Sequence, residues 1–175
     1  EVIQDFISEY MAGRTPNPCS RCNQRVKFGK KKKKALAIEA DVIATGHYAR
    51  TAMRGDRVAL LRAKDINKDQ SYTLSGLGQA QLHRAMFPLG EMTKEDTRNV
   101  ARSLGLVTAD KPESMEICFV PNDNYRDFLV TRVDAPLAGP IVNMQGELVG
   151  HHSGLVNYTV GQRKGLGIAA PKPYY

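Results

Sequence analysis

The chain has 175 residues, 42% of them hydrophobic and 25% charged, with a formal charge of +7. That suits one medium domain, or one domain and part of another, with enough apolar content for a real core. It excludes a membrane-spanning chain, since no apolar run is long enough, and a secreted disulfide framework, since the three cysteines are odd in number and two sit as C-x-x-C.

The first residues read as an amphipathic helix rather than a leader, so a cytosolic or organellar-matrix location is expected, with no membrane partner. Lys30 to Lys34 supply five of the seven net charges and leave +2 for the rest, so the basicity is local. Such a run is most often a solvated helix face, and it is also what an RNA-facing stripe requires.

In chain order, Val2, Ile3, Phe6, Ile7, Tyr10 and Met11 fall at helical spacing and predict a helix over residues 1 to 11, ended by Gly13. Thr15-Pro16-Asn17-Pro18 predicts a stiff, non-helical loop, because each proline fixes its own φ and extends the residue before it. The loop delivers Cys19 and Cys22 to the start of a second helix, expected over about Asn23 to Glu39 with Val26, Phe28, Leu36 and Ile38 as its apolar contacts. A thiol at a helix N-terminus meets unpaired N–H groups that favour thiolate, the form that attacks sulfur or binds metal.

Asp41 to Thr45 is short, apolar and β-branched, as a buried parallel strand would be. Gly46-His47-Tyr48 then falls at its carboxyl end, where open α/β sheets bind ligands. Arg54-Gly55-Asp56 predicts a hairpin turn between Tyr48 to Met53 and Val58 to Leu61. Lys64 to Ser71 reads as a polar loop entering a helix, with a further short helix near Gln79 to Arg84. Phe87-Pro88-Leu89-Gly90 reads as an extended stop. Thr93 and Asp96 predict a capping box, opening a helix that carries Val100, Ala101 and Leu104 and ends at Gly105. Ile117 to Val120 looks strand-like and Asn124 to Val133 helical. Closely spaced glycines and prolines from Pro136 to Gly167 predict a small β-rich module, with a boundary near residues 121 to 134.

Taken singly, the chemistry-bearing residues have bland readings. C-x-x-C fits a zinc knuckle, a redox pair or an iron–sulfur ligand set, but no second C-x-x-C or H-x-H pairing completes a zinc site. Cys118, between Ile117 and Phe119, reads as a buried core thiol. His47 alone reads as a structural histidine and Lys68-Asp69-Gln70 as a solvated loop. Gly161-Gln162-Arg163-Lys164-Gly165 reads as a turn, although two cations and a glutamine between glycines also suit phosphate contacts.

The combination is more specific than its parts. Gly13-Arg14-Thr15-Pro16-Asn17-Pro18-Cys19 with Cys22-Asn23, Lys27-Phe28, Ala44 to Arg50, Lys68 to Tyr72, Phe87 to Gly90, Glu116 to Phe119 and Tyr158 to Gly167 occur in that order. Together they closely resemble the tRNA-uridine 2-sulfurtransferases, the tRNA-specific 2-thiouridylase (MnmA) family, over almost the whole chain. The resemblance implies an α/β fold. Residues 1–121 would be the carboxyl-terminal portion of an adenine nucleotide alpha hydrolase-like (Rossmann-like) catalytic domain, and 122–175 a small, partly β central domain truncated before a terminal β-barrel.

It also implies a reaction in which ATP and Mg serve to adenylate O2 of a tRNA wobble uridine, and a cysteine persulfide, loaded by a sulfur-donor protein, replaces that oxygen. By the same resemblance Cys118 bears the persulfide and Cys22 releases the sulfur, finishing in a disulfide with Cys118. Asn17, Pro18 and Cys19 match the target-base loop, Gly46 an ATP contact, and His47, Lys68, Asp69 and Gln70 tRNA contacts. Many relatives carry aspartate where this chain has Cys19, and with that cysteine Cys19, Cys22 and Cys118 make an alternative set of three [4Fe-4S] ligands. The family's Ser-Gly-Gly-x-Asp-Ser phosphate loop has no counterpart in these residues, so an internal fragment without ATP-dependent activity of its own is expected. A non-catalytic RNA-binding module and a zinc-stabilised structural domain are the rival readings.

Overall fold

The computed structural model describes residues 1–30, 34–35, 37–112, 117–133 and 138–170. The readings made for Lys31 to Lys33, Leu36, Glu116, Pro136 and the last five residues lie outside that set. Two compact units form, one of Glu1–Pro18 with Met115–Tyr175 and one of Cys19–Ser114. No helix among the described residues is long and apolar enough to cross a membrane.

In the first unit, α1 (Val2–Met11) buries Phe6 and Tyr10. Its end is a Schellman closure: the Gly13 N–H donates to the Tyr10 carbonyl and the Arg14 N–H to that of Glu9, with Gly13 at φ +71°. The partners of α1's apolar face come from the far end of the chain. Val120, Phe128, Leu129 and Val156 complete the buried cluster, with Phe6 edge-on to Phe119 at 5.4 Å and Tyr10 stacked on Tyr125 at 5.1 Å. This is why residues 1–18 group with the carboxyl-terminal segment rather than with the residues that follow them.

Two elements of this unit differ from expectation. Ile117 to Val120 is a turn, closed by the Val120 N–H on the Ile117 carbonyl at 2.9 Å, and not a strand. Helix α5 covers only Tyr125–Val130, with the Asn124 side chain accepting from the N–H groups of Arg126 and Asp127 as its N-cap. The expected β character is an antiparallel pair, β5 (Gly139–Val142) with β6 (Leu148–His152), interrupted by an irregularity between Ile141 and Val142.

The second unit opens on α2 (Pro18–Arg21), whose first residue belongs to the first unit, running on as π-helical turns over Cys22–Lys30. Strand β1 (Ile43–Ala44) pairs in parallel with β4 (Ala85–Met86). The parallel pairing is as expected, the burial is not: Ile43 is half-buried and Ala44 exposed. Strands β2 (Ala49–Arg54) and β3 (Arg57–Arg62) form the expected hairpin, with Gly55 at φ +63° in its two-residue turn. Short helix α3 (Gln79–Leu82) precedes β4. Helix α4 (Lys94–Ser103) has the expected capping box: the Thr93 hydroxyl accepts from the Asp96 N–H and the Asp96 carboxylate from the Thr93 N–H.

Phe28, Ala49, Val58, Leu74, Leu77, Leu82 and Phe87 make this unit's core. Of the apolar contacts expected from the second helix, Phe28 is buried, whereas Ile38 is 78% exposed. Val100 of α4 and Leu104, the residue that follows it, are also exposed.

The Phe87 to Gly90 stop is a tight turn, the Gly90 N–H returning to the Phe87 carbonyl. Gly90 wedges between segments: its carbonyl accepts from the Lys64 N–H, and a Cβ there would stand 1.9 Å from the Ala49 carbonyl oxygen. Only glycine allows that approach.

Candidate functional site

Thr15, Pro16 and Asn17 are non-helical, as the prolines dictate, and Asn17 is exposed. The helix begins at Pro18, whose fixed φ and missing N–H suit the first helical position. It therefore starts five residues before the expected Asn23. Cys19 lies exposed in the first turn, and Cys22, half-buried, begins the π-helical stretch beyond the N–H groups that a first turn leaves unpaired. None of the three cysteines is in a disulfide.

The wide turns after Cys22 have a cause far away in sequence. Gln81 on α3 donates from Nε2 to the carbonyls of Gln24 and Phe28, at 3.2 and 3.0 Å. A side chain inserted into the carbonyl ladder is a recognised reason for a helix to widen locally. Beside Cys22, Asn23 is 2% exposed and donates from Nδ2 to the Thr73 carbonyl at 3.0 Å and to Thr73 Oγ1 at 3.1 Å. Because the Thr73 hydroxyl gives its own proton to the Gln70 carbonyl, both partners are acceptors, and this fixes the orientation of the amide. Asn23 Oδ1 is buried without a hydrogen-bond partner among the described residues.

At the carboxyl end of β1, Gly46 is exposed and His47 is 8% exposed. Lys27 Nζ stands 3.4 Å from His47 Nε2, and Thr45 Oγ1 2.8 Å from His47 Nδ1. An ammonium can only donate, so Nε2 is the bare ring nitrogen, and the ring proton sits on Nδ1, facing Thr45. Burial and then the Lys27 cation lower the pKa of His47 from 6.5 to about 4, keeping the imidazole neutral. Phe87 lies edge-on to the ring at 6.1 Å.

The Lys68-Asp69-Gln70 segment is a brace rather than a solvated loop. Asp69 Oδ1 accepts from the Ala63 N–H at 2.8 Å, and its Oδ2 from the Ser71 hydroxyl at 2.7 Å. Burial pushes the Asp69 pKa up, but these bonds, with Arg62 nearby, outweigh it and hold the carboxyl below its ordinary value. Gln70 behaves like a strand residue: its N–H donates to the Tyr48 carbonyl and its Oε1 accepts from the Tyr48 N–H. Lys68, half-buried, ends the 3₁₀ turn Ile66–Lys68 just before this brace.

Cys118 is exposed, in the Ile117 to Val120 turn. Ile117 and Phe119 on either side pack against the buried cluster of their own unit, which turns the thiol outward. The core-thiol reading therefore fails for Cys118, although its neighbours do supply core.

The structure thus gathers Lys27, Gly46, His47 and the 68–70 brace around the start of β2, in the unit that also contains Cys19 and Cys22. Asn17, Pro18 and Cys118 belong to the other. Among the described residues no group of three or more His, Cys, Asp or Glu side chains is placed to hold a metal ion. Sequence reasoning gave no role to Lys27, Asn23 or Gln81. Their amide and ammonium groups meet partners 20 to 57 residues away, so no local signal announces them.

Comparison with known proteins adds the remaining observation. A family model described as the tRNA methyl transferase HUP domain matches residues 1–122, and one described as the tRNA methyl transferase PRC-barrel domain matches residues 126–175. A tRNA-specific 2-thiouridylase MnmA from Geobacter metallireducens is 55% identical over 99% of this chain and 48% of its own length. The proteins of that name from Natranaerobius thermophilus and Carboxydothermus hydrogenoformans are 50% and 51% identical, over 99% and 100% of the chain and 48% and 49% of their lengths. The chain spans about half the length of these curated relatives. Its architecture is a Rossmann-like HUP domain followed by a small PRC-barrel-like domain.

Proposed function

Because the chain belongs to the tRNA-specific 2-thiouridylase family, we propose that it is the part of a tRNA 2-thiolation enzyme that carries the sulfur-transfer cysteines and part of the nucleotide side. Residues 1–121 are read as catalytic-domain residues and 122–175 as the central module, a division supported by family matches that meet between residues 122 and 126. The observation that carries the reading is the exposed Cys118 thiol, held outward by two inward-packed neighbours.

Cys118 receives a terminal sulfur from a persulfide-donating protein. The outer sulfur attacks C2 of the activated wobble uridine, forming the S–C2 bond as the C2–O2 bond breaks and AMP leaves with its electron pair. The Cys22 thiolate then attacks Cys118 Sγ, which breaks the S–S bond to the substrate sulfur and forms a Cys22–Cys118 disulfide. The released electron pair stays on the sulfur of 2-thiouridine. An external dithiol must supply two electrons to reset the pair. The Asn17-Pro18-Cys19 segment meets the target base through the exposed Asn17 and Cys19, with Pro18 itself buried, and Lys68, Asp69, Gln70 and the His47 position face the tRNA. Asp69 and Gln70 do so chiefly by holding their loop in shape.

ATP, when bound, supplies the adenylyl group that makes O2 a leaving group. Gly46 fits that partner: its φ is not positive and a Cβ there would meet only Leu89 Cδ1, at an ordinary 3.7 Å. Neither conformation nor packing among the described residues demands glycine, which leaves close approach by another molecule. Mg rides on the phosphates and needs few protein ligands. A [4Fe-4S] centre with Cys19, Cys22 and Cys118 as ligands is the alternative reading, and no step is derived through one.

In the full-length polypeptide, Cys118→Ser abolishes 2-thiouridine formation and leaves RNA affinity nearly unchanged. The 175 residues alone make no thiolated tRNA, since they contain no Ser-Gly-Gly-x-Asp-Ser stretch. Thiolation surviving Cys118→Ser, scored by mass spectrometry of digested tRNA, would refute the reading.

A further inference from the structure

The Tyr158 to Gly167 motif has no part in the chemistry above, yet it is built as a site. Gln162 spends its whole side chain on its own loop, Oε1 accepting from the Thr159 N–H at 3.1 Å and Nε2 donating to the Lys164 carbonyl at 2.9 Å. The Gln162 N–H returns to the Thr159 carbonyl at 3.0 Å, and Gly161, Gly165 and Gly167 take φ of +83°, +76° and +70°. These bonds and left-handed glycines fold the segment into a defined turn with Arg163 and Lys164 exposed at its tip.

The turn is also tied to the Pro-Cys loop of the same unit. The Val160 N–H donates to Thr15 Oγ1 at 3.3 Å, two residues from Asn17. The sequence around it is one-sided in charge: from Leu148 to Tyr175 it contains no aspartate or glutamate.

We propose that Arg163 and Lys164 form a phosphodiester-binding clamp, held beside the Thr15-Pro16-Asn17 loop, that grips the RNA backbone flanking the nucleotide Asn17 addresses. The proposal rests on the reading of the chain as a tRNA-modifying protein. A guanidinium and an ammonium on a braced turn bind phosphate oxygens without reading bases, so the clamp sets the register of the strand while the Pro-Cys loop meets the base.

The test is equilibrium binding of this protein to an anticodon stem-loop RNA between 50 and 200 mM salt, comparing the unmutated chain with Arg163→Gln/Lys164→Gln. Each lost single-strand phosphate contact lowers the slope of log affinity against log salt by about 0.7. The double variant should therefore lose about 1.4 from the slope, so that across this salt range its affinity falls about sevenfold less than that of the unmutated chain. The loss should be the same for an RNA with cytidine at the wobble position. In the unmutated protein, bound RNA should also shield Lys164 from acetylation, a readout independent of how the variant folds.

An unchanged slope, or Lys164 acetylated equally with and without RNA, overturns the clamp while leaving the tRNA reading intact. Failure of the unmutated chain to bind the RNA at all overturns both.

Discussion

Protonating His47 should destabilise its unit from the inside, with a size that follows from the site. The ring is buried, its Nε2 faces the Lys27 ammonium, and its pKa is about 4 against 6.5 for the ordinary imidazole. Because the folded value is the lower one, the unfolded chain binds more protons between those limits, and stability rises with pH there. At pH 7.5 both states are neutral and the term vanishes. At pH 5 the unfolded imidazole is almost wholly protonated and the folded one about a tenth so, which costs the folded state about 2 kcal/mol; the full penalty, below pH 4, is about 3 kcal/mol.

The assay is urea unfolding of the unmutated chain and His47→Gln at pH 7.5, 6 and 5. The glutamine has no titration, so the stability difference between the two proteins should shrink by about 2 kcal/mol from pH 7.5 to 5, whatever its starting value. A pH-independent difference, or an imidazole resonance titrating near 6.5 in the folded protein, would refute the argument. Lys27→Met should raise the His47 pKa only part of the way, because burial is the larger cause.

Gly90→Ala should destabilise the same unit by about 3 kcal/mol or more in urea denaturation, since its Cβ would overlap the Ala49 carbonyl and β2 would have to move. Asn23→Asp sets a carboxylate oxygen against two acceptors on Thr73, and should cost at least about 2 kcal/mol by the same measurement, with Asn23→Leu milder because it brings no charge. Thr93→Ala removes the helix-capping hydroxyl of α4 and should lower stability by about 1 kcal/mol without altering RNA affinity.

What the sequence made legible was local. Gly13 closing α1, Gly55 turning the β2–β3 hairpin, and Thr93 with Asp96 opening α4 are each decided within four or five residues, and each stands where spacing placed it. The parallel β1 strand was legible from its β-branched composition, though not its partial exposure. Cys118 misled because an Ile-Cys-Phe-Val string has the same composition in a strand and in a turn. The turn is decided by Ile117 and Phe119 packing beneath α1, more than a hundred residues upstream. The family motifs name Cys22, His47 and the 68–70 segment, but not what their side chains touch.

The reason lies in how this unit is joined. Gln70 pairs with both backbone groups of Tyr48, Gln79 with both of Val58, and Gln81 reaches two carbonyls of the π-helical turns. The Gln70 N–H apart, which is backbone, a primary amide in each case stands in for a peptide group and continues a hydrogen-bond pattern that the backbone has left open. Amide side chains have no periodicity, so such joints are invisible to hydrophobic patterning, yet they connect the Cys22 helix, the hairpin and the loop after β3. A motif residue here is therefore best judged by what its polar atoms must satisfy. Lys68-Asp69-Gln70 illustrates this: two of its three side chains hold the loop, and any contact it makes with RNA depends on a shape that those two maintain.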